Sequence, residues 1–246
     1  MVGVSYDPVE TLAAFARARG ITFPLLSDTG SAIIRQYGLF NQTVAVNTRA
    51  YGVPHPGTFV IDPSRKVTAR YFEREYQERN TAASIIVRQG GAGRGPTVTA
   101  ANAHLSVKAS VSDDTVAPGS RITLAVDVTP ARNIHVYAPG ADYQVIELKL
   151  DPNPLLATQP LQYPRSETYH FKPLNETVPV FQKPFRLTQD VTVAASREAQ
   201  KTLAGQQTLT VSGKLEYQAC DDTICFRPTA IPLMFELKVK PLDRPQ

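Results

Sequence analysis

Apolar and polar positions follow two different patterns along the 246-residue chain, and the change comes near residue 90. Before that point, short apolar runs typical of strands alternate with segments that carry one apolar helical face. The predicted strands or extended pieces are residues 2–5, 23–26, 58–61 and 67–72, and the predicted helices are residues 8–19, 31–37 and 81–89. This order of strands and helices predicts an α/β unit.

The first predicted helix carries sequence signs at both of its ends. Asp7 is the predicted N-cap, Pro8 takes the first helical position, and Glu10 completes a capping box. Gly20 is the expected stop, because glycine adopts the left-handed backbone conformation that ends many helices without steric cost. We therefore expect a well-bounded helix at the start of the α/β unit.

The run GGAGRGP at residues 90–96 predicts a linker, and the pattern after it changes to period-two alternation. Six segments show this alternation: residues 104–111, 121–128, 145–150, 185–193, 209–217 and 231–239. About seven short strands separated by turn residues are typical of an immunoglobulin-like β-sandwich. We therefore predict an α/β module at residues 1–89, a Gly/Pro/Ala-rich linker at 90–102 and a β-sandwich at 103–241.

The amino-acid composition excludes some functional classes but does not indicate a particular function. Apolar residues make up 42% and charged residues 20%, which is ordinary for a globular protein. The 26 Lys and Arg exceed the 22 Asp and Glu only slightly and form no basic stripe with interleaved aromatics, so no nucleic-acid partner is predicted. No stretch approaches the ~20 apolar residues of a membrane helix. The residues after Met1 do not form a signal peptide.

The two cysteines are the candidate chemistry of the chain. Residues 215–220 predict a strand, the acidic turn DDT follows, and Cys225 begins the return. A tight hairpin brings opposed Cα atoms to about 5 Å, within reach of a disulfide. The closed loop is short and stabilises the fold little, which favours an exchangeable bond over a structural staple, although the staple stays open as an alternative. Asp221 and Asp222 should raise the pKa of a neighbouring thiol, which suits a pair that is attacked by a partner. Two cysteines without nearby histidines predict no metal site, and no cofactor is predicted.

Two further segments have both functional and structural interpretations. His55 stands between Pro54 and Pro56 just before a predicted buried strand, so the segment is either a substrate-binding edge or a rigid strand-entry turn, with a cis bond as one option. His135 and Tyr137 lie in a polar and aromatic segment that could cover a reactive site. Ordinary packing at a strand end is the favoured interpretation for that segment.

The segments VGVSYD at 2–7 and GVPHPGTFVID at 52–62 resemble the later half of the redoxin family, the peroxiredoxins of the AhpC/TSA type, over about residues 1–88. The resemblance implies a partial thioredoxin-like fold and places Pro56 at the family's cis proline. The family's catalytic cysteine lies before the matched part, and residues 1–219 contain no cysteine. Peroxidase activity from this chain alone is therefore not expected. An alternative is a fragment of an antioxidant peroxidase whose catalytic cysteine lies upstream of Met1.

The segment YQACDDTICFRP at 217–228 resembles the N-terminal periplasmic domain of the thiol:disulfide interchange protein DsbD, within a similarity over about residues 103–240. The resemblance implies an immunoglobulin-like sandwich whose cysteine pair carries electrons between thioredoxin-like partners beneath a shielding loop. It assigns the catalytic roles to Cys220 and Cys225 and places Tyr217 and Phe226 beside them. Residues 133–143 are the candidate shielding loop.

Together these observations predict a partial thioredoxin-like α/β module followed by an all-β immunoglobulin-like sandwich. The predicted activity is that of a thiol–disulfide oxidoreductase with thioredoxin-like partners. His55 and Pro56 are additional partner-binding or site-shaping candidates. The alternative is a non-enzymatic binding or assembly sandwich with a passive disulfide. The cysteine chemistry predicts a periplasmic or otherwise extracytoplasmic location.

Overall fold

The computed structural model describes residues 1–72, 78–171 and 175–240, and most of its regular structure is β-strand. The chain divides into two compact units, Met1–Tyr76 and Gln77–Gln246.

The first unit alternates strands and helices as its apolar pattern predicts. Its elements are β1 (Gly3–Ser5), α1 (Val9–Arg19), β2 (Leu25–Ser27), α2 (Ala32–Gln36), β3 (Gly57–Ile61) and β4 (Val67–Phe72). Strands β1 and β2 pair in parallel, and β3 and β4 form an antiparallel hairpin. The unit is thus α/β in its element order, while its assignment to the thioredoxin-like fold stays a prediction.

Helix α1 ends as the sequence predicts but begins differently. Gly20 takes the left-handed conformation, with φ of 60°, and closes the helix. The N-cap is Pro8 rather than Asp7, and no side chain caps the first turn, so the predicted capping box is wrong. The Asp7 carboxylate instead accepts a hydrogen bond of 2.6 Å from the Ser5 hydroxyl. The carboxylate is therefore engaged with the strand before the helix.

The second unit contains most of the strands. Its elements are β5 (Arg79–Asn80), α3 (Ala82–Arg88), β6 (Thr97–Ala101), β7 (Leu105–Val111), β8 (Thr115–Val116), β9 (Ser120–Pro130), β10 (His135–Tyr137), β11 (Glu147–Leu150), β12 (Leu156–Thr158), β13 (Glu167–Phe171), β14 (Glu176–Phe181), β15 (Phe185–Val193), α4 (Arg197–Ala204), β16 (Thr208–Tyr217), β17 (Ala219–Cys220) and β18 (Thr229–Val239). The predicted segment 185–193 coincides with β15, and the other five alternating segments match strands to within three residues at either end.

The described residues of this unit form three sheets. One has the order β12-β15-β9-β7-β6, with β5 paired to β9, and a second has the order β11-β16-β18-β8. The inward-facing side chains of these two sheets form one continuous buried core that includes Ile122, Leu215 and Phe235. The third sheet, β13-β14-β10-β17, is smaller and carries Cys220 on its last strand. This unit is mostly β-strand, as predicted for this part of the chain, and it also contains the helices α3 and α4.

Helix α3, which the sequence analysis assigns to the α/β module 1–89, packs in the second unit. Strand β5 just before it pairs in parallel with β9. The Thr81 hydroxyl at its start donates to Asp113 at 2.6 Å, and Arg88 at its end forms an ion pair of 2.6 Å with Asp190. The first contact joins the start of the helix to the loop after β7, and the second joins its end to β15. The compact units divide after Tyr76, whereas the predicted α/β module ends at residue 89. The predicted boundary between the two family modules stays a prediction.

The glycine-rich run, predicted as a linker over 90–102, is built into the second unit. The Arg94 and Gly95 amides donate to the Ser112 and Val111 carbonyls at 2.9 and 3.0 Å, and β6 then pairs with β7. A Cβ atom on Gly95 would lie 2.2 Å from the Asp113 carbonyl oxygen. Gly95 thus permits its backbone to lie close to the backbone of Asp113. The local sequence does not distinguish this role of glycine from its role in a flexible linker.

Candidate functional site

The cysteine pair lies on a tight turn that Asp221 organises. The Asp221 carboxylate accepts hydrogen bonds from the Thr223 and Ile224 amides at 2.7 and 2.8 Å. The Asp221 amide donates to the Ile224 carbonyl, so the chain reverses within four residues. Cys220 and Cys225 stand opposite each other with Cα atoms 4.0 Å apart and are joined by a disulfide. Asp221 therefore determines the conformation of the turn and also places a carboxylate in it.

The two half-cystines differ in their access to solvent. Cys220 is fully buried, with an exposed fraction of 0%. Cys225 is exposed, as is its neighbour Ile224, at 54%. A partner can therefore reach the disulfide from the Cys225 side.

Strand β10 lies against the cysteine-bearing strand β17, with His135 opposite Cys220 in the antiparallel register. Its last residue, Tyr137, is buried. The Tyr137 hydroxyl lies 3.2 Å from the Cys220 sulfur and 3.3 Å from the Cys225 sulfur. Because a disulfide carries no S–H, the phenol is the donor in these contacts.

Tyr143 and Tyr169 pack on Tyr137 and His135. We name these four side chains the aromatic cover. The Tyr143 ring stacks on Tyr137 with centroids 4.4 Å apart, and the Tyr169 ring packs on His135 at the same distance. Each added tyrosine is held by a carboxylate: Tyr143 donates to Glu176 at 2.5 Å, and Tyr169 donates to Asp222 at 2.6 Å. The second bond ties the cover to the cysteine turn itself.

The ionisation of these groups follows from burial and from neighbouring carboxylates. Burial, together with Tyr143 and Glu176, raises the pKa of Tyr137 to about 12. The hydrogen bond to Asp222 raises the pKa of Tyr169 to about 12. Both phenols therefore remain protonated near neutral pH. The Ile224 and Thr223 hydrogen bonds lower the pKa of Asp221, so a negative charge stands beside the disulfide.

Burial also lowers the pKa of His135 below its ordinary value of 6.5, and the charges of Asp222 and Asp221 offset this only in part. As the pH is lowered, His135 therefore takes up a proton near pH 6.5 in the unfolded chain and only at a lower pH in the folded chain. The free energy of unfolding decreases as the pH falls from 6.5 towards the pKa of the folded state. We expect the urea midpoint of the wild-type chain to decrease between pH 7.5 and 5.5, and His135→Gln to flatten this decrease.

The control for that prediction is His170→Gln, because His170 is an exposed histidine of the same unit. This variant should keep the wild-type dependence on pH. Measurements above pH 5 avoid the titration of Asp221, whose pKa lies below its ordinary 3.8. An undiminished pH dependence in His135→Gln would show that another group is responsible.

The other predicted site residues lie in different surroundings. Tyr217 is buried in the core of the second unit, and its hydroxyl accepts a hydrogen bond of 2.7 Å from the Asn102 amide. Phe226 packs on the His104 ring at 4.3 Å. The resemblance places these two side chains beside the cysteines, and their roles as site-shaping residues stay predictions.

His55 and Pro56 lie in the first unit. His55 lines a cavity of about 650 Å³ together with Phe59 and Arg70. The described peptide bonds are all trans, so the cis bond that the resemblance implies for Pro56 is not present in the structure. The segment leads directly into β3, as the strand-entry interpretation predicts. A partner-binding role for these two residues stays a prediction.

One group of site residues is not distinguished by its local sequence. The sequence favours ordinary packing for Tyr137 and His135, whereas in the structure Tyr137 contacts the disulfide and His135 lies opposite Cys220. The resemblance indicates residues 133–143 as a shielding loop, and this segment carries three members of the aromatic cover, His135, Tyr137 and Tyr143. Nothing in the sequence indicated Tyr169, since it comes from a hairpin more than 50 residues before the cysteines.

Two findings concern sites of other kinds. Within the described ranges, no group of three or more His, Cys, Asp or Glu side chains could hold a metal ion. Among the helices of the described segments, none is long and apolar enough to cross a membrane.

Comparison with protein families identifies both parts of the chain and confirms both resemblances. Residues 104–233, more than half of the chain, match the family described as thiol:disulfide interchange protein DsbD, N-terminal. Residues 1–70 match the AhpC/TSA family.

Two Mycobacterium tuberculosis proteins that carry the name peroxiredoxin are similar to the first unit. MT2597 is 35% identical over 72 residues, which are 29% of this chain and 45% of the relative. MT1643 is 39% identical over 70 residues, which are 27% of this chain and 40% of the relative. The chain thus spans less than half the length of these curated relatives.

Two solved structures are similar to the chain. The N-terminal periplasmic domain of ScsB from Proteus mirabilis gives a TM-score of 0.39 at 14% identity and covers 60% of this chain and 53% of its own. The N-terminal domain of Neisseria meningitidis DsbD, in the reduced form, gives a TM-score of 0.32 at 15% identity and covers 47% of this chain and 82% of its own.

Proposed function

The chain belongs to the family of the N-terminal domain of thiol:disulfide interchange protein DsbD, and from this premise we propose that it relays electrons between thioredoxin-like partners through Cys220 and Cys225. The family matches at both ends of the chain support a thiol–disulfide redox function in general. The relay, its partners and the catalytic roles of the two cysteines are the specific content of the proposal.

The observation that carries the proposal is the unequal exposure of the two half-cystine residues. A disulfide that only staples a fold gains nothing from an exposed half. Here the Cys225 half is exposed and the Cys220 half is fully buried under the aromatic cover. Thiol–disulfide exchange needs an attacking thiolate to approach one sulfur in line with the bond that breaks. This arrangement leaves Cys225 as the point of attack and Cys220 as the leaving group.

The reaction proceeds in two displacements. A thiolate of a reduced partner attacks the Cys225 sulfur, the Cys220–Cys225 bond breaks, and Cys220 leaves as a thiolate with the electron pair. The second thiol of the partner, after losing its proton, then attacks the partner's own sulfur in the mixed disulfide and expels Cys225. The partner ends as a disulfide and this chain as a dithiol, so two electrons and two protons have passed to it. The reverse sequence delivers them to an oxidised partner.

The first unit takes a supporting role in this proposal. Its matched family uses a catalytic cysteine, but residues 1–219 hold none, so every thiol step passes through the second unit. We place the first unit as a docking scaffold, with His55 and Pro56 as partner-binding residues. Tyr217 and Phe226 are proposed to shape the second unit's site. Disulfide exchange of this kind requires an oxidising or redox-managed compartment, and the proposed location is the periplasm.

The reduction potential of the cysteine pair tests the proposal against a passive disulfide in a binding or assembly sandwich. The full chain is equilibrated with dithiothreitol and glutathione buffers, and free thiols are alkylated and counted by mass spectrometry. We expect a potential between about −180 and −270 mV, the range of known exchange proteins, and rapid reduction by thioredoxin. A potential below about −300 mV would establish a structural bond and exclude the relay.

A further inference from the structure

We propose that Tyr137 is a catalytic residue of disulfide exchange at this site, because its hydroxyl can donate a hydrogen bond to whichever cysteine sulfur leaves as a thiolate. The inference rests on the proposed exchange function and extends it to a group that neither family match assigns. Its basis is the position of a single hydroxyl, whose oxygen lies 3.2 Å from the Cys220 sulfur and 3.3 Å from the Cys225 sulfur.

The first displacement creates a charge that the site otherwise disfavours. When Cys225 is attacked, the electron pair goes to the Cys220 sulfur, which is fully buried. Burial destabilises a thiolate, and the carboxylates of Asp221 and Asp222 follow directly in the chain. His135, opposite Cys220 in the strand register, is held neutral near pH 7 by its burial. A hydrogen-bond donor directed at the Cys220 sulfur therefore lowers the activation free energy of this displacement.

The Tyr137 phenol fits that role because it stays protonated. Burial, with Tyr143 and Glu176 nearby, keeps its pKa near 12, far above that of an ordinary thiol at about 8.5. The phenol therefore shares its proton with a thiolate in a hydrogen bond but does not transfer it. Hydrogen bonds to charged groups are roughly twice as strong as those between neutral groups, so this contact strengthens as negative charge develops on the sulfur.

The hydroxyl is also held in place before the reaction. Strand β10 is hydrogen-bonded on both sides, to β14 and to β17, and the Tyr143 ring stacks on the Tyr137 ring. A donor that is already oriented needs no rearrangement when charge appears, which is the condition for effective electrostatic catalysis. Because the two sulfurs are almost equidistant from the oxygen, the same O–H serves Cys220 in the first displacement and Cys225 in the second.

The test is Tyr137→Phe in the full chain, with dithiothreitol as the thiol in one series and thioredoxin in another. Removing a donor to a developing charge should slow reduction and reoxidation alike, by about tenfold to a hundredfold. The equilibrium constant with dithiothreitol should stay unchanged, since the donor acts on the transition state. Tyr163→Phe is the matched control: it also removes a partly buried phenol, which donates to the Ile146 carbonyl and not to a sulfur, and should keep wild-type rates.

The direction of the rate change separates catalysis from shielding. If the Tyr137 hydroxyl only helped to cover the disulfide, the variant would react at the same rate or faster, and that result would overturn the assignment. Site-specific replacement of Tyr137 by 3-fluorotyrosine gives the same test without removing the hydroxyl. The more acidic phenol should increase both rates at pH 7, and unchanged rates would also count against catalysis.

The two series distinguish failure of this inference from failure of the relay. If thioredoxin does not reduce the wild-type chain while Tyr137→Phe slows its reaction with dithiothreitol, the relay is wrong and the hydroxyl assignment stands. If thioredoxin reduces wild type and Tyr137→Phe equally fast, the relay stands and the hydroxyl assignment is wrong.

Discussion

Replacing Cys225 by serine is expected to abolish exchange with thioredoxin-like partners, whereas Cys220→Ser leaves a chain that still captures them. Cys225 is exposed and Cys220 has no accessible surface, so the two single-cysteine chains present very different thiols. Turnover should fall on the order of 10³-fold or more in both variants, because each lacks one of the two sulfurs that the relay needs. Only the Cys220→Ser chain should react quickly in the capture step.

The capture step can be measured by colour. A thioredoxin variant that keeps only its attacking cysteine is converted to its mixed disulfide with thionitrobenzoate, and release of the coloured thiolate reports attack by this chain. We expect Cys220→Ser to react on the order of a hundredfold faster than Cys225→Ser, because reaction requires an accessible thiolate. Ellman's reagent, a small probe, separates access to the sulfur from docking of the protein partner.

Equal reactivity of the two variants would contradict the assignment of attacked and leaving sulfur. Faster reaction of Cys225→Ser would reverse it. The burial of Cys220 comes from the pairing of β17 with β10 and not from the disulfide alone, so we expect it to persist when Cys225 is replaced.

Phe235→Ala is expected to have the largest effect on stability. Phe235 is 1% exposed on β18, at the centre of the core between the two larger sheets. Truncating a buried phenylalanine removes its transfer free energy and leaves a cavity, and together these cost about 3–5 kcal/mol of the free energy of unfolding. Its neighbour Met234 is the matched control, because it lies on the other face of the same strand and is 61% exposed. Met234→Ala should change the free energy by less than about 0.5 kcal/mol.

Hydrogen exchange is the suitable measurement because the chain has two compact units. Mass spectrometry of peptides from β16 and β18 reports the opening of the second unit alone, even if the first unit unfolds separately. A loss below about 1 kcal/mol in Phe235→Ala would show that the core relaxes around the truncated side chain. A similar loss in Met234→Ala would mean that the exposed face of β18 carries packing that the structure does not show.

The strands with regular alternation could be predicted from sequence because their apolar faces repeat every two residues. The segment 185–193 is the clearest case, since it coincides with β15. Other elements depend on distant partners. Strand β6 follows a glycine run that is typical of a linker, and only its pairing with β7 identifies it as a strand. Helix α3 could be predicted as a helix, but its apolar residues do not say which sheet they cover.

In the candidate site, too, the local features could be predicted from the sequence and the contacts with distant residues could not. The cysteine pair and its acidic turn lie within six consecutive residues, so their proximity is visible in the sequence. Tyr137 and Tyr169 reach that turn from 88 and 53 residues away. Such contacts are set by the pairing of β10, β13 and β14, and the alternation of β14 is interrupted by Pro179. The reacting atoms were therefore predictable, while the groups that control them were not.

The glycine-rich run also bears on how a chain of this kind is assembled in evolution. Fused modules are commonly exchanged at flexible connections, where length and sequence are free to drift. Here the run is fixed by hydrogen bonds to residues 111 and 112 and by the close approach at Gly95. Insertions or deletions there would disturb the sandwich itself. A first module could therefore be exchanged at the division between the two units and not at the glycine run, which belongs to the sandwich.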